Sequence, residues 1–393
     1  MARVLWLTSQ VPDRTLGGGN IRQAHLLAAA AATHEVHLAV IGRLADDEIR
    51  RSLAGLTELP VPAPTHGNGR RAAHVRSFVQ RQTEDCASQA ADRAALRAAA
   101  DREAEFDVVC VEHGALAPLL PQRRRASWTV TLHYLASLQA EQVRQVSAGF
   151  AGRSYWAREA GKARRFERWV AASYDRTIVC SEEDAAQLVP PAQVVPNGVD
   201  IDAFRPSPPP DRPTMVFTGS LDYRPNVDGL LWFCDFVLPL VHRKVPDAVL
   251  QIVGRRPTSA VMALTQRCRV QVHADVASVQ PFLLDSRVAV VPLRIGSGTR
   301  LKALEAMAAR RPLVGTTIGL SGLGLVDGVH ARIADEAEDF ASSVVDALKG
   351  DHVAATVRNA RRLVEERFSW STIGREYAAL LTELAAARAT RQA

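Results

Sequence analysis

The chain has 393 residues, 47% of them hydrophobic and 23% charged, with few aromatics. Its length exceeds what a single core serves, so two domains are expected, and the composition is that of a soluble α/β protein rather than a disordered or fibrous one. A net charge of +6 favours anionic partners (nucleotides, nucleic acid or an acidic membrane surface) without choosing among them.

The opening MARVLWLTSQVPDR carries too short an apolar run for a signal peptide, and no stretch approaches the ~18 apolar residues of a membrane span. A cytoplasmic protein is expected, or one peripheral at the inner membrane face. Short apolar runs then alternate with helical segments, the pattern of parallel sheets covered by helices. Strands are expected at RVLWLTS (3–9), EVHLAVIG (35–42), FDVVCVE (106–112), SWTVTLH (127–133) and RTIVCS (176–181), with helices over 20–32 and 86–104. Residues 144–170 interleave Arg144, Arg153, Arg158, Lys162, Arg164, Arg165 and Arg168 with Trp156, Phe166 and Trp169. Such a stretch can dock on anionic lipid or serve as a solvated helix covering the first domain. No nucleic-acid-binding module is recognisable. The five cysteines, Cys86, Cys110, Cys180, Cys234 and Cys268, show no metal spacing and read as reduced, mostly buried thiols.

RPSPPPDRP (205–213) tolerates neither helix nor inner strand and is expected to link the domains. Beyond it a second set of strands is expected at 214–220, 248–254, 270–274, 288–293 and 312–317, with helices over 225–244 and 299–309. Two doubly wound domains in tandem follow, and ligands of such sheets bind at the carboxyl ends of strands.

One such end is VPLRIGSGTRLKALEAMAARRPLVGTT (291–317). An apolar strand runs into a turn with Gly296 and Gly298, then into a helix with Arg300, Lys302 and Glu305. Free amides and the positive end of a helix form an anion site that glycines let a phosphate approach. Glu305 can accept hydrogen bonds from a ribose diol. A tight connection without a ligand is the plainer alternative for the glycines.

This stretch resembles the donor-binding segment of the retaining glycosyltransferases of family 4, whose GT-B fold sets two Rossmann-like domains around a cleft. FTGSLDYRPNVDGLLWFCDFVLPLVHRKVPDAVLQIVGRRP (217–257), VVPNGVDIDAFRP (194–206), LEAMAARRPLVGTT (304–317) and GGGNIRQAHLLAAAAATHEV (17–36) are similar to further segments of that family. The resemblance implies a first, acceptor-side domain over 1–205 and a nucleotide-sugar domain over 206–370. It also implies that Glu305 binds the ribose and that amides of Gly298, Thr299, Arg300 and Leu301 bind the diphosphate. By the same resemblance His133 contacts the transferred sugar, and Gly18 and Gly19 line the phosphate side from the first domain; Asn197 and Gly198 read as hinge and turn residues rather than ligands. Two departures stand out. Ser297 replaces the first Glu of the family's paired acids, leaving the sugar contact open. Ser220 and Pro225 stand where the family carries Arg and Lys. Arg224 is one substitute, and Arg300 with Lys302 is the pair expected to act on the leaving diphosphate.

The implied reaction is transfer of a sugar from a nucleotide diphosphate sugar to an acceptor hydroxyl, with retention, without metal and without a further cofactor. The acceptor is open among a lipid-linked sugar, a polysaccharide and a small molecule. Asp200 and Asp202 match a DxD only by letter. A sugar-nucleotide epimerase and a non-catalytic nucleotide-binding protein are the alternatives. Finally, RFSWSTIGREYAALLTELAAARATRQA (367–393) offers Ser369 or Ser371 as a cap and Ile373, Tyr377, Leu380, Leu381 and Leu384 at helical spacing. The resemblance implies that this last helix, over 371–390, packs back on the first domain.

Overall fold

The computed structural model describes residues 1–61, 89–147, 149–350 and 353–392. Cys86 and the start of the helix expected over 86–104 lie outside them; that helix is described over Ala90–Ala100. The chain divides into two compact units, Met1–Pro196 with Ile373–Ala393, and Asn197–Thr372.

The first unit is built on β1 (Arg3–Thr8), β2 (Glu35–Ile41), β3 (Gly55–Leu59), β4 (Val108–Glu112), β5 (Ser127–Leu132), β6 (Arg176–Val179) and β7 (Gln193–Val194). Their order is β3-β2-β1-β4-β5-β6-β7, and every pairing is parallel. The central strands are buried on both faces, which is why RVLWLT and VVCVE read as continuous apolar runs. β3 and β7 escape sequence reading for a physical reason. They lie at the sheet edges, β3 exposes Thr57 and Glu58, and β7 has 2 residues, so neither needs an apolar run.

The second unit is built on β8 (Thr214–Thr218), β9 (Val249–Gly254), β10 (Val270–Ala274), β11 (Val288–Val291), β12 (Leu313–Gly315) and β13 (Arg332–Ile333). The order β10-β9-β8-β11-β12-β13 is again all parallel. Strand order reverses between β8 and β11, and a doubly wound sheet opens its ligand crevice at that point. The helix expected over 225–244 forms as Arg224–Trp232, a π turn Phe233–Val237 and Leu238–Lys244. The π turn ends two residues before Pro239, whose missing N–H and ring disfavour a regular α ladder there.

The proline-rich stretch is not the link between the units, which part at Pro196 and Asn197. Arg311 donates to the Ser207 carbonyl at 3.1 Å, and Arg287 to the Pro210 carbonyl at 3.0 Å. Proline removes donors but leaves carbonyls, and two arginines use those carbonyls to fix the stretch on the second unit.

The final helix, Trp370–Gln392, opens with Ser369 Oγ accepting from Thr372 N at 3.2 Å. From Ile373 onward it belongs to the first unit. Tyr377 packs edge-on against Trp6 with centroids 5.9 Å apart and donates from its hydroxyl to Cys110 Sγ at 3.6 Å. Ser127 Oγ donates to the Leu384 carbonyl at 3.0 Å. Ile373, Tyr377, Leu380, Leu381 and Leu384 are all buried.

Candidate active site

The turn after β8 and the turn after β11 meet at the reversal point of the second sheet. Leaving β8, Gly219 adopts φ +148. A Cβ there would stand 2.8 Å from Asn226 Nδ2 and 2.9 Å from Lys302 Nζ. Both the backbone conformation and the crowding therefore demand glycine. Asn226, in the first turn of Arg224–Trp232, donates through Nδ2 to the Ser220 carbonyl at 2.7 Å and accepts through Oδ1 from Lys302 Nζ at 2.8 Å. The ammonium also lies 3.8 Å from the centroid of the Phe217 ring, a cation–π contact. Lys302 rises from the helix Leu301–Ala308, so it carries a cation from the β11 side to the β8 turn.

Glu305 follows Lys302 at i+3 on the same helix, on a neighbouring surface position. Among the described residues its carboxylate has no hydrogen-bond partner. Burial pushes it up to about 7, against the opposing pull of Lys302. Burial, reinforced by Arg300, draws Lys302 well below the ordinary lysine range, with Glu305 opposing. Lys302 and Glu305 are partly buried, and Ala303, Leu304, Ala306, Met307 and Ala308 bury the rest of the helix.

The glycine turn is braced rather than loose. Arg300, the N-cap residue, is buried, and its guanidinium donates to the Ser297 carbonyl at 2.6 Å and to the Ile318 carbonyl at 3.1 Å. Gly296, at φ +140, makes room for that guanidinium, since a Cβ would sit 2.6 Å from its Nη2. Thr299 accepts through Oγ1 from Asn197 N at 3.0 Å and through its carbonyl from Asn197 Nδ2 at 3.3 Å. Thr316 Oγ1 donates to the Leu293 carbonyl and accepts from Gly319 N at 2.8 Å. Gly296, Ser297, Gly298, Thr299, Arg300 and Leu301 thus form one pinned turn. Arg300, expected as a cation for the diphosphate, is instead engaged by backbone carbonyls. Arg224 is exposed at the first position of its helix.

The first unit carries the other expected residues. Gly18 and Gly19, expected on the phosphate side, form the first turn of the helix Gly18–Ala31. His133 directly follows β5, and its Nε2 lies 3.6 Å from Glu112 Oε2 at the end of β4. Thr131 Oγ1 donates to the other Glu112 oxygen at 2.9 Å, and Arg22 donates to the Pro196 carbonyl at 2.8 Å. Burial, with Arg22 and His113 nearby, holds His133 well below the ordinary histidine range. Burial likewise lifts Glu112, against Arg22 and Thr131. Asp200, of the DxD lookalike, accepts from Asp202 N and Ala203 N, both at 3.0 Å, and so caps a turn. Among the described residues no three His, Cys, Asp or Glu side chains gather as a metal would require.

Sequence reasoning missed Asn226, Gly219 and Glu112. Gly219 and Asn226 stand in the quoted FTGSLDYRPN, and a polar side chain in a helix's first turn behind a glycine turn was the available signal.

The sequence pattern described as "Glycosyltransferase Family 4" matches residues 16–203, and that described as "Glycosyl transferases group 1" matches residues 212–350. A Klebsiella pneumoniae protein from the cps region is 26% identical over 143 residues, 34% of this chain and 37% of that protein, so the chain spans little over a third of that relative. A GDP-mannose-dependent alpha-(1-6)-phosphatidylinositol monomannoside mannosyltransferase of Mycobacterium tuberculosis is 28% identical over 318 residues, 72% of this chain and 78% of that one. Among solved structures, sucrose-phosphate synthase from Thermosynechococcus elongatus superposes with a TM-score of 0.72 at 18% identity, over 98% of this chain and 100% of that chain. Anabaena HepE in complex with UDP and glucose does so at 0.66 and 12% identity, over 98% and 100%. The architecture is GT-B, and the chain belongs to the group 1 glycosyltransferases of family 4.

Proposed function

We propose that the protein transfers a sugar from a nucleoside diphosphate sugar to an acceptor hydroxyl, with the nucleotide held in the second unit by the two turns at the β8–β11 reversal. The observation that carries this reading is Lys302, whose ammonium stands on Asn226 beside Gly219, where the sequence lacks the expected Arg and Lys. As the donor breaks, negative charge gathers on the leaving diphosphate. Lys302 and the amides of Gly298 to Leu301 oppose that charge, and they act most strongly where it is greatest. A diphosphate arriving at Lys302 favours the protonated amine and so restores the charge that burial discourages. Glu305 accepts from the ribose hydroxyls. Arg300 holds the turn in shape, and His133 is assigned to the transferred sugar.

Retention, with attack on the face the leaving group quits, and independence of metal and of any further cofactor belong to this reading. The mycobacterial relative is named for GDP-mannose, and HepE was solved with UDP and glucose, which supports a nucleotide-sugar donor of some kind. The acceptor is a hydroxyl of a lipid-linked sugar, a polysaccharide or a small molecule. Incubation with UDP-, GDP- and dTDP-sugars, with separate detection of free nucleoside diphosphate and of epimerised donor, tests the proposal. Release from one donor is expected. Epimerised donor without release, or no turnover of any donor, would overturn it.

A further inference from the structure

The helix Phe150–Ser173 has a charge distribution that the transfer reaction does not use. Its two acids, Glu159 and Glu167, point inward. Glu159 pairs with buried Lys162 at 2.6 Å, and buried Glu167 accepts from Ser137 N at 3.0 Å. The exposed charges of the helix are therefore all arginines. Phe150, Ser154, Arg158, Arg165, Arg168 and Trp169 are all exposed and recur at spacings of three, four and seven, so they share one face. Arg153 and Arg164, also exposed, flank it; Arg164 lies 3.8 Å from half-exposed Glu141, the one acid of the neighbouring helix paired on that side. Trp156 and Phe166, which the sequence placed in the same stretch, are partly buried and leave the face to Phe150 and Trp169.

Phe150 is 87% exposed and Trp169 42% exposed. They mark the two ends of the face, about 28 Å apart at 1.5 Å per residue. An aromatic residue exposed to water at each end of an all-cationic face suits a plane that is anionic outside and apolar just beneath, where aromatic rings settle and arginines meet headgroups. A nucleic-acid strand would ask instead for a groove that tracks its backbone. The face is the flat side of a single helix.

We infer that the Phe150–Ser173 helix docks the protein on an anionic lipid bilayer, through Arg165 and Arg168 at the headgroups and Phe150 and Trp169 in the interface. This docking is independent of the donor chemistry proposed above, so each can fail alone. The test is co-sedimentation of the full chain with vesicles of phosphatidylcholine and of phosphatidylcholine mixed with phosphatidylglycerol. The protein should pellet with the mixed vesicles and stay in solution with phosphatidylcholine alone. Raising salt from about 0.1 M to 1 M should release it as the screening length falls. Arg165→Glu with Arg168→Glu should lower the partition coefficient about tenfold or more, and Phe150→Ser with Trp169→Ser should lower it severalfold while leaving the salt dependence. Arg165→Gln with Arg168→Gln is the milder pair, and unchanged melting by circular dichroism shows that all variants remain folded. Equal pelleting with both vesicle types, no pelleting with either, or mixed-vesicle binding indifferent to both arginine pairs would overturn the inference. So would binding of duplex DNA through these arginines with no binding of vesicles.

Discussion

At the residue scale Lys302, Glu305 and Arg300 come from one short stretch of sequence, and the proposed function gives each a different task. Lys302→Ala should lower turnover by about a hundredfold, the scale for removing one group that faces developing charge. Arg300→Ala leaves the carbonyls of Ser297 and Ile318 without that donor and should destabilise the second unit by about 1–3 kcal/mol, read as a lower melting temperature. If Arg224→Ala proves more damaging to turnover than Lys302→Ala, the cation has been misassigned. Glu305 adds a pH dependence whose sign follows from its position. Its folded value, about 7, lies above the ordinary 4.5, so the stability tied to its neutral form is full below the ordinary value and is lost as pH rises through about 7. Glu305→Gln should remove that loss, and melting curves of the two proteins should diverge between about pH 5 and 8. A ribose diol donates to the ionised form, so nucleotide binding to the wild type should strengthen over the same range and that of Glu305→Gln should not. The relation of Lys302 to Glu305 was legible in the sequence because it is local, i to i+3. Asn226 was not, because its contact with Lys302 spans 76 residues. Arg300 was expected as a cation for the diphosphate, and its guanidinium donates to the Ser297 and Ile318 carbonyls. A side chain beside an anion site is visible in sequence, whereas backbone carbonyls that occupy it appear only in three dimensions.

At the element scale, inner strands announced themselves, and of the edge strands only β10 did. Strands buried on both faces must be apolar throughout, whereas β3, β7 and β13 at the edges are held by one ladder and need no such run. Proline was read correctly as a breaker of regular structure over 205–213 and wrongly as a sign of a free link. The composition excludes a ladder, but the Ser207 and Pro210 carbonyls that Arg311 and Arg287 bind belong to the tertiary fold. The final helix was legible through its apolar stripe. Tyr377→Ala should cost the first unit about 3–5 kcal/mol, since it empties a fully buried position against Trp6 and Cys110. Truncation after Phe368 should lower the melting temperature of the first unit further, although the residues removed follow the second. A truncated chain whose first unit melts at the parent's temperature would show that the helix contributes nothing there.

At the scale of the whole molecule, the second unit is an insertion closed at its own ends. Val199 N donates to the Phe368 carbonyl at 2.8 Å, and Trp370 N to the Val199 carbonyl at 3.3 Å. Its core, from Val199 to Phe368, is separate from that of the first unit. Residues 197–372 alone should therefore fold and bind a nucleoside diphosphate within about tenfold of the full chain, a difference of roughly 1.4 kcal/mol. The two-unit plan was legible from two successive sets of strands, and only the seam was misplaced. The most direct test of the central claim is calorimetric titration of UDP, GDP and dTDP into the full chain and into its Lys302→Ala and Glu305→Ala variants. One nucleotide should bind the parent, and both variants should bind it more weakly, Glu305→Ala by roughly 1.5–3 kcal/mol, the range for a hydrogen bond to a charged acceptor. If no nucleoside diphosphate binds the parent, or if both variants bind it as tightly as the parent does, the nucleotide does not lie at the β8–β11 turns and the proposed function is contradicted.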